Sequence, residues 1–432
     1  MPEERSLILS SIQNIFSIPD LRKRVLYMLG LLAVYRVGAF IPTPGINHVA
    51  LEQLFQSNAG TIFGFLDVFS GGALRRFSIF ALGIMPYITA SIILQLATVV
   101  VPYLEKLSKE GELGRKKITQ YTRYLTVVLT LFQGFMTAVA LERSGEQIVT
   151  SPGWGFRLLV MITLTTGTAF IMWIGEQITE RGIGNGISLI IFAGIVVGLP
   201  SAIGFIWTNV VELRTWSPLT AIFLLVFMVL VVAAVVFVER GQRKIPVQYA
   251  KRVVGRRMYG GQSTHIPLKV NQAGVIPLIF ASSILTFPLT LAQFIPAVSR
   301  LQSWIGYGTV GYNILYVGMI IFFTYFYTAV TFNPQEIADN MKKNGGFVPG
   351  LRPGRPTAEY MERVLARITL PGAIFLAIIA VMPFVVSLVT RIPQNILNLG
   401  GTGMIIMVGV ALDTMKQIES HLLLRHYEGF LN

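Results

Sequence analysis

A chain of 432 residues that is 53% hydrophobic and only 13% charged lacks the balance of a soluble globular protein, in which about a quarter of residues carry charge. Its mean hydropathy of +0.63 indicates a polytopic membrane protein. The absence of cysteine excludes disulfides, thiolate metal sites and a cysteine nucleophile, and the net charge of +14 must lie outside the lipid core, where a cation is costly.

The first element is residues 6–18, where Ile8, Ile12, Ile15 and Phe16 share one face at helical spacing. It reads either as an amphipathic helix on the membrane surface or as a cytosolic cap. No cleavable signal is expected. The first apolar run begins only after Arg22, Lys23 and Arg24, and no small-residue cleavage pattern follows. Crossing a bilayer takes about 20 mostly apolar residues. Segments of that kind lie at 25–41, 76–101, 121–142, 155–175, 186–207, 218–238, 272–294, 312–332, 369–389 and 401–416. These make ten spans and put both termini on one side. Between the first two, NAGTIFGFLDVFSGGALRR (58–76) is moderately apolar, rich in glycine and too short to span. It is either a re-entrant element buried in the bundle or an external loop, because irregular backbone at membrane depth must be covered by protein or line a cavity.

Most of the 35 lysines and arginines fall in the loops on the side of the termini, so the positive-inside rule makes that side cytoplasmic. The spans themselves are nearly free of acids and histidines, which argues against an ion-coupled transporter. No nucleophile elbow, zinc-protease helix or Walker motif occurs. RGIGNGIS (181–188) has glycine spacing but neither a preceding strand nor a Lys-Ser/Thr, and reads as a turn opening a membrane helix. Enzymatic chemistry is not expected.

Two loops are too large for simple membrane turns. In residues 239–271, Ile245, Val247 and Tyr249 alternate with polar residues or proline, as do Ile266, Leu268 and Val270. This predicts a hairpin with Pro246 and Pro267 on outer strands. Its tip is basic: Arg240 to Gly261 holds seven cations and no acid. The second loop, 333–368, carries KKNGGFVPGLRPGRP, with Arg352 near its tip. Two projecting cationic loops imply a large cytosolic partner, and phosphate-rich RNA and an acidic protein surface both suit them.

Five long stretches carry a resemblance: RFSIFALGIMPYITASIILQL (76–96), KEGELGRKKITQYTRYLT (109–126), WIGEQITERGIGNGISLIIFAGIV (173–196), VERGQRKIPVQYAKRVVGRRMYGGQSTHIPLKVNQAGVIPLIFASSIL (238–285) and GGTGMIIMVGVALDTMKQIESHLLLRHYEGFL (400–431). With them, and across nearly its whole length, the chain resembles the SecY family, the pore subunits of bacterial Sec protein-conducting channels. The resemblance implies an all-α bundle of two inverted pseudo-symmetric halves, spans 1–5 and 6–10, around an hourglass pore in the bacterial inner membrane. It implies an aliphatic pore ring made here by Ile84, Ile88, Ile187, Ile191, Ile279 and Ile406, able to exclude water and ions without offering a sticky site. It implies a plug over Thr61, Ile62, Phe63, Gly64, Phe65, Leu66, Asp67, Val68, Phe69, Ser70, Gly71 and Gly72.

A lateral gate between spans 2–3 and 7–8 is also implied. Thr89 and Phe287 match positions near it, and Ser91, Gln95, Ser282 and Thr286 provide small polar groups for weak interhelical bonds. The two basic loops would dock a ribosome through its RNA, or the motor ATPase SecA, with Arg256, Arg257 and Arg352 matching the family's positions and Arg243, Lys251 and Arg252 beside them. SecE and SecG are the implied small membrane subunits, and signal sequences and membrane lipid meet the gate. No cofactor is implied, so the work must come from a partner. Gly403 stands where many members carry serine, one turn before Ile406. A solute transporter would need charges or a polar pocket at membrane depth. A scramblase or intramembrane hydrolase would need a hydrophilic groove or a catalytic pair.

Overall fold

The computed structural model describes residues 18–57, 62–143, 148–249, 252–254, 257–259, 263–292, 304–390, 392, 397 and 401–428. The expected surface helix at 6–18 lies outside them, apart from its last residue.

Every expected span coincides with a helix. The helices are α1 (Pro19–Gly38), α2 (His48–Ser57), α3 (Ile62–Ser70), α4 (Met85–Val100), α5 (Pro102–Lys109), α6 (Glu112–Arg143), α7 (Trp154–Arg181), α8 (Gly186–Trp207), α9 (Pro218–Arg240), α10 (Ile276–Ala292), α11 (Val310–Thr331), α12 (Pro334–Lys343), α13 (Arg355–Thr390) and α14 (Thr402–Glu428). Among the described residues, six are long and apolar enough to cross a membrane alone, and a seventh if the bent pair α4–α5 is counted as one span. That pair turns by 98° at Val101. The cause is Pro102, since a residue before proline is driven out of the helical region, and Val101 adopts φ −95°, ψ 113°.

Helix starts follow local chemistry. Pro19, Pro86, Pro102, Pro218 and Pro334 occupy first-turn positions, where proline's missing N–H is not needed. Asn185, Ser217, Thr309 and Asn333 accept hydrogen bonds from first-turn amides of α8, α9, α11 and α12. Helices α6 and α7 pack along a stripe of small residues on α6, Thr122, Thr126, Thr130, Gly134 and Ala138, all buried. A Cβ on Gly134 would approach Met161 Cα to 3.3 Å, so glycine permits close approach there.

Several helices run on past the expected apolar segment, as α6 from Glu112, α13 from Arg355 and α14 to Glu428 do, and one starts later than expected. Residues 76–84, read as the start of the second span, are turns, and α4 begins only at Met85. Gly71, Gly72, Gly83 and Phe77 all have positive φ, a conformation no helix contains, and the side chain of Phe77 is nevertheless only 1% exposed. Hydropathy reports burial and cannot see this backbone.

The two large loops fold together. Strand β1 (Gln242–Tyr249) pairs antiparallel with β4 (Ser263–Lys269), Ile245 opposite Ile266, and β2 (Arg252–Val254) pairs with β3 (Arg257–Tyr259) at the basic tip. The hairpin is therefore present. The second loop contributes β5 (Gly346–Phe347), which adds to β1 at Gln248 and Tyr249 and gives the order β4-β1-β5. Pro267 lies on an outer strand as expected, whereas Pro246 lies on the middle one. It is tolerated there because β5 is too short to reach it. Ile245, Val247 and Leu268 from the first loop form one small core with Met341, Val348 and Met361 from the second. Tyr249, at the strand end, is exposed.

Candidate functional site

The six residues expected to form a ring come from α4, α8, α10 and α14, Ile84 standing as the N-cap of α4 rather than within it. Helix α4 packs on α10, and α8 packs on α14, so these helices join the first half of the chain to the second. Ile84, Ile88, Ile191, Ile279 and Ile406 are each at most 5% exposed and belong to one continuous apolar cluster, against which Ile187 packs half-buried. Gly403, in the first turn of α14, leaves Ile406 buried to 1% exposure. A Cβ on Gly409 would meet Val275 Cγ1 at 2.4 Å, which explains how α14 comes so close to the start of α10. The turn 181–185 is firmly held: Gly184 has φ +89°, its amide donates to Gln417 Oε1 of α14 at 2.8 Å, and Asn185 caps α8.

Helix α3 and the turn after it cover residues 62–72 of the segment expected as plug; Thr61 lies outside the described residues. The segment is seated against α1 and α8. Arg36 Nη1 donates to the Gly71 carbonyl at 2.8 Å and Tyr35 Oη to the Ser70 carbonyl at 3.3 Å. A Cβ on Gly194 of α8 would lie 2.7 Å from the Phe69 carbonyl oxygen, so backbone rests on backbone. Asp67 Oδ1 accepts from the Arg75 amide at 2.8 Å, and Arg75 pairs with Glu52 at 3.1 Å. A cavity of about 490 Å³ opens beside this seat, lined by Arg36, Asp67, Arg75, Arg76 and Ser201 among others. Arg36, Tyr35 and Gly194 were not singled out from the sequence. The available signal was Arg36 itself, a cation near the end of a span.

The expected weak bonds across the α4–α10 seam are not formed among the described residues. Thr89 Oγ1 donates to Met85 O at 3.1 Å and Ser282 Oγ to Ile279 O at 2.9 Å, each within its own helix. Buried Gln95 Oε1, Ser283 Oγ and Thr286 Oγ1 bond no protein group. A helical hydroxyl reaches its own turn more readily than a neighbouring helix, so among the described residues no side-chain hydrogen bond links α4 to α10. Ser91 is half-buried on α4, and Phe287 lies on α10.

Of the expected docking residues, Arg243 on β1 and Arg352 between β5 and α13 are exposed. Arg252 and Arg257 lie on the paired strands β2 and β3, while Lys251 and Arg256 fall outside the described residues. At the neck, Asn271 Nδ2 donates to buried Glu239 Oε1 at 2.5 Å and to the Gly274 carbonyl at 3.0 Å, tying the sheet to the start of α10. No group of three or more histidines or acids that could hold a metal ion occurs among the described residues.

The helical architecture, with a short helix whose Phe69 joins the large apolar cluster and a β-sheet built from two basic loops, has the fold of protein-conducting channels. A solved protein-conducting channel superimposes with a TM-score of 0.64 at 20% identity, covering 92% of each chain. Sec61 of the canine ribosome–channel complex from the endoplasmic reticulum superimposes at 0.61, with 18% identity over 95% of this chain and 96% of that one. The SecY family model matches residues 78–415. The protein translocase subunit SecY of Streptomyces galbus is 50% identical over 98% of this chain and its own full length, and that of Mycobacterium bovis is 49% identical over 99% of both chains. The chain belongs to the SecY family.

Proposed function

We propose that the chain is the pore-forming subunit of a bacterial protein-conducting channel. It passes unfolded secretory polypeptides across the cytoplasmic membrane and releases transmembrane segments sideways into lipid. Both termini and the β-sheet module face the cytoplasm. The chain carries out no catalysis of its own, and SecE and SecG complete the membrane complex. SecA or a translating ribosome drives transport by docking on the basic module, and the arginines at its tip and at Arg352 supply charge complementary to RNA phosphate or an acidic surface.

The single observation supporting this most strongly is that five of the six isoleucines lie in one buried apolar cluster where helices of the two halves meet, with Ile187 packed half-buried against it. Such a girdle dewets, blocking ions, and presents no hydrogen bond to arrest a sliding chain. The short helix α3 is the plug, and the α4–α10 seam is the lateral gate for signal sequences.

The test replaces Ile84, Ile88, Ile191 and Ile406 by serine in the complex purified from membranes and reconstituted into planar bilayers. Salt conductance in the absence of substrate is the expected result. A complex as tight as wild type refutes the ring.

A further inference from the structure

We infer that Arg36 is a latch that holds α3 in its seat and sets how readily the channel opens. This rests on the plug reading of α3 and adds a positioning residue to it. The last carbonyls of a helix have no partner inside it. In α3, Asp67 O accepts from the Gly72 amide at 2.9 Å and from Ser70 Oγ at 3.1 Å, and Val68 O accepts from the Gly71 amide at 3.3 Å. Two later carbonyls are reached from another element: Ser70 O receives Tyr35 Oη at 3.3 Å as well as the Ala73 amide at 3.4 Å, and Gly71 O receives Arg36 Nη1 at 2.8 Å. Two adjacent residues in the last turn of α1 thus cap the end of α3, where the helix dipole favours a cation.

The latch is pre-positioned from the α1 side. The Arg36 guanidinium lies 4.5 Å from the centre of the Phe40 ring, and Arg76 lies 4.2 Å from the same centre. Tyr35 is buried and stacked on Phe80 at 5.9 Å. Among the described residues Arg36 has no carboxylate within salt-bridge distance; its hydrogen bond goes to a main-chain carbonyl at the end of the element that must move. When α3 leaves, that bond is lost; with α3 seated the guanidinium lines, with Asp67 and Gly71, the cavity of about 490 Å³ beside it. The contact exists only in the closed state, so it biases the equilibrium rather than stabilising both states equally. A charged donor to a carbonyl is among the stronger hydrogen bonds.

The test uses the intact complex in planar bilayers, comparing wild type, Arg36→Lys, Arg36→Gln and a deletion of residues 62–70. Arg36→Gln is expected to raise the idle open fraction about tenfold, the equivalent of ~1.4 kcal/mol. Arg36→Lys should retain most of the tightness, because an ammonium can still donate to one carbonyl. In an export assay, Arg36→Gln should also pass a preprotein with a weakened signal sequence better than wild type does, a gain that mere loss of stability would not give. A deletion that leaks while Arg36→Gln stays tight overturns the latch and leaves the plug. A deletion that stays tight overturns both. Should Arg36→Gln fail to assemble, Tyr35→Phe removes only the neighbouring donor and is expected to leak in the same direction; wild-type tightness from it overturns the proposal.

Discussion

Substituting Gly194 by alanine probes the plug seat from the opposite side. The added Cβ would lie 2.7 Å from the Phe69 carbonyl oxygen and 3.3 Å from the Gly71 nitrogen, against an ordinary contact of 3.4 Å or more. The intruded atom belongs to backbone and cannot rotate aside, so the end of α3 must retreat by about 0.7 Å or leave. Overpacking of this kind costs roughly 1–3 kcal/mol, and the strain exists only while α3 is seated. The closed-to-open ratio should therefore fall by about 5–150-fold. Alanine's helix-propensity advantage over glycine acts in both states and cancels. The assay is idle single-channel conductance, with Gly204→Ala as control: the same helix, but no atom within 4 Å of the new Cβ. Equal tightness of Gly194→Ala and Gly204→Ala would refute the seat.

Three further outcomes are expected. Leu268→Ala, at a position with 0% exposure in the core shared by the two loops, should cost about 2–5 kcal/mol and open residues 239–271 to limited proteolysis while the spans stay protected. Glu142→Gln removes the carboxylate that binds Arg157 at 2.6 Å and accepts from the Gly153 amide at 2.9 Å; a loss of about 1–3 kcal/mol should lower the thermal midpoint of the purified complex. Arg352→Glu, exposed between β5 and α13, should stop SecA-driven export with insertion of the protein unchanged, and normal export would remove Arg352 from the docking surface.

Spans were legible because lipid forces a continuous apolar run, and α8 begins at Gly186 and ends at Trp207, as read from hydropathy. The hairpin was legible through alternation at Ile245, Val247, Ile266 and Leu268, since a half-buried strand needs a period of two. Strand β5 was not: Gly346 and Phe347 are too few to show any period, and their role exists only through Gln248 and Tyr249 a hundred residues away. Residues 76–84 were misread as helix because Phe77, Phe80 and Ile84 are as buried as in a span, while positive φ at Phe77 and Gly83 leaves no hydropathy trace. The plug seat was hidden for a related reason. Gly194 acts through the side chain it lacks, and Arg36 through a carbonyl, which every residue has.

The placement of ring, gate and plug gives the proposed channel its coupling. Helices α4 and α10 carry Ile84, Ile88 and Ile279 together with Thr89, Gln95, Ser282 and Thr286. A signal sequence that parts these two helices must therefore widen the ring in the same motion. The hydroxyls of Thr89 and Ser282 bond within their own helices, so side-chain hydrogen bonds contribute little to holding the seam of the proposed channel. The plug is held elsewhere, by α1 through Arg36 and by α8 through Gly194, which lies three residues from Ile191 on a shared face. Opening the seam thus does not by itself release α3. Because Gly194 and Ile191 share α8, a shift of that helix would move the proposed ring side chain and plug seat together. In the proposed channel the seam on α4 and α10 and the plug seat on α1 and α8 therefore make distinct contributions to gating, joined through Ile191 and Gly194 on α8.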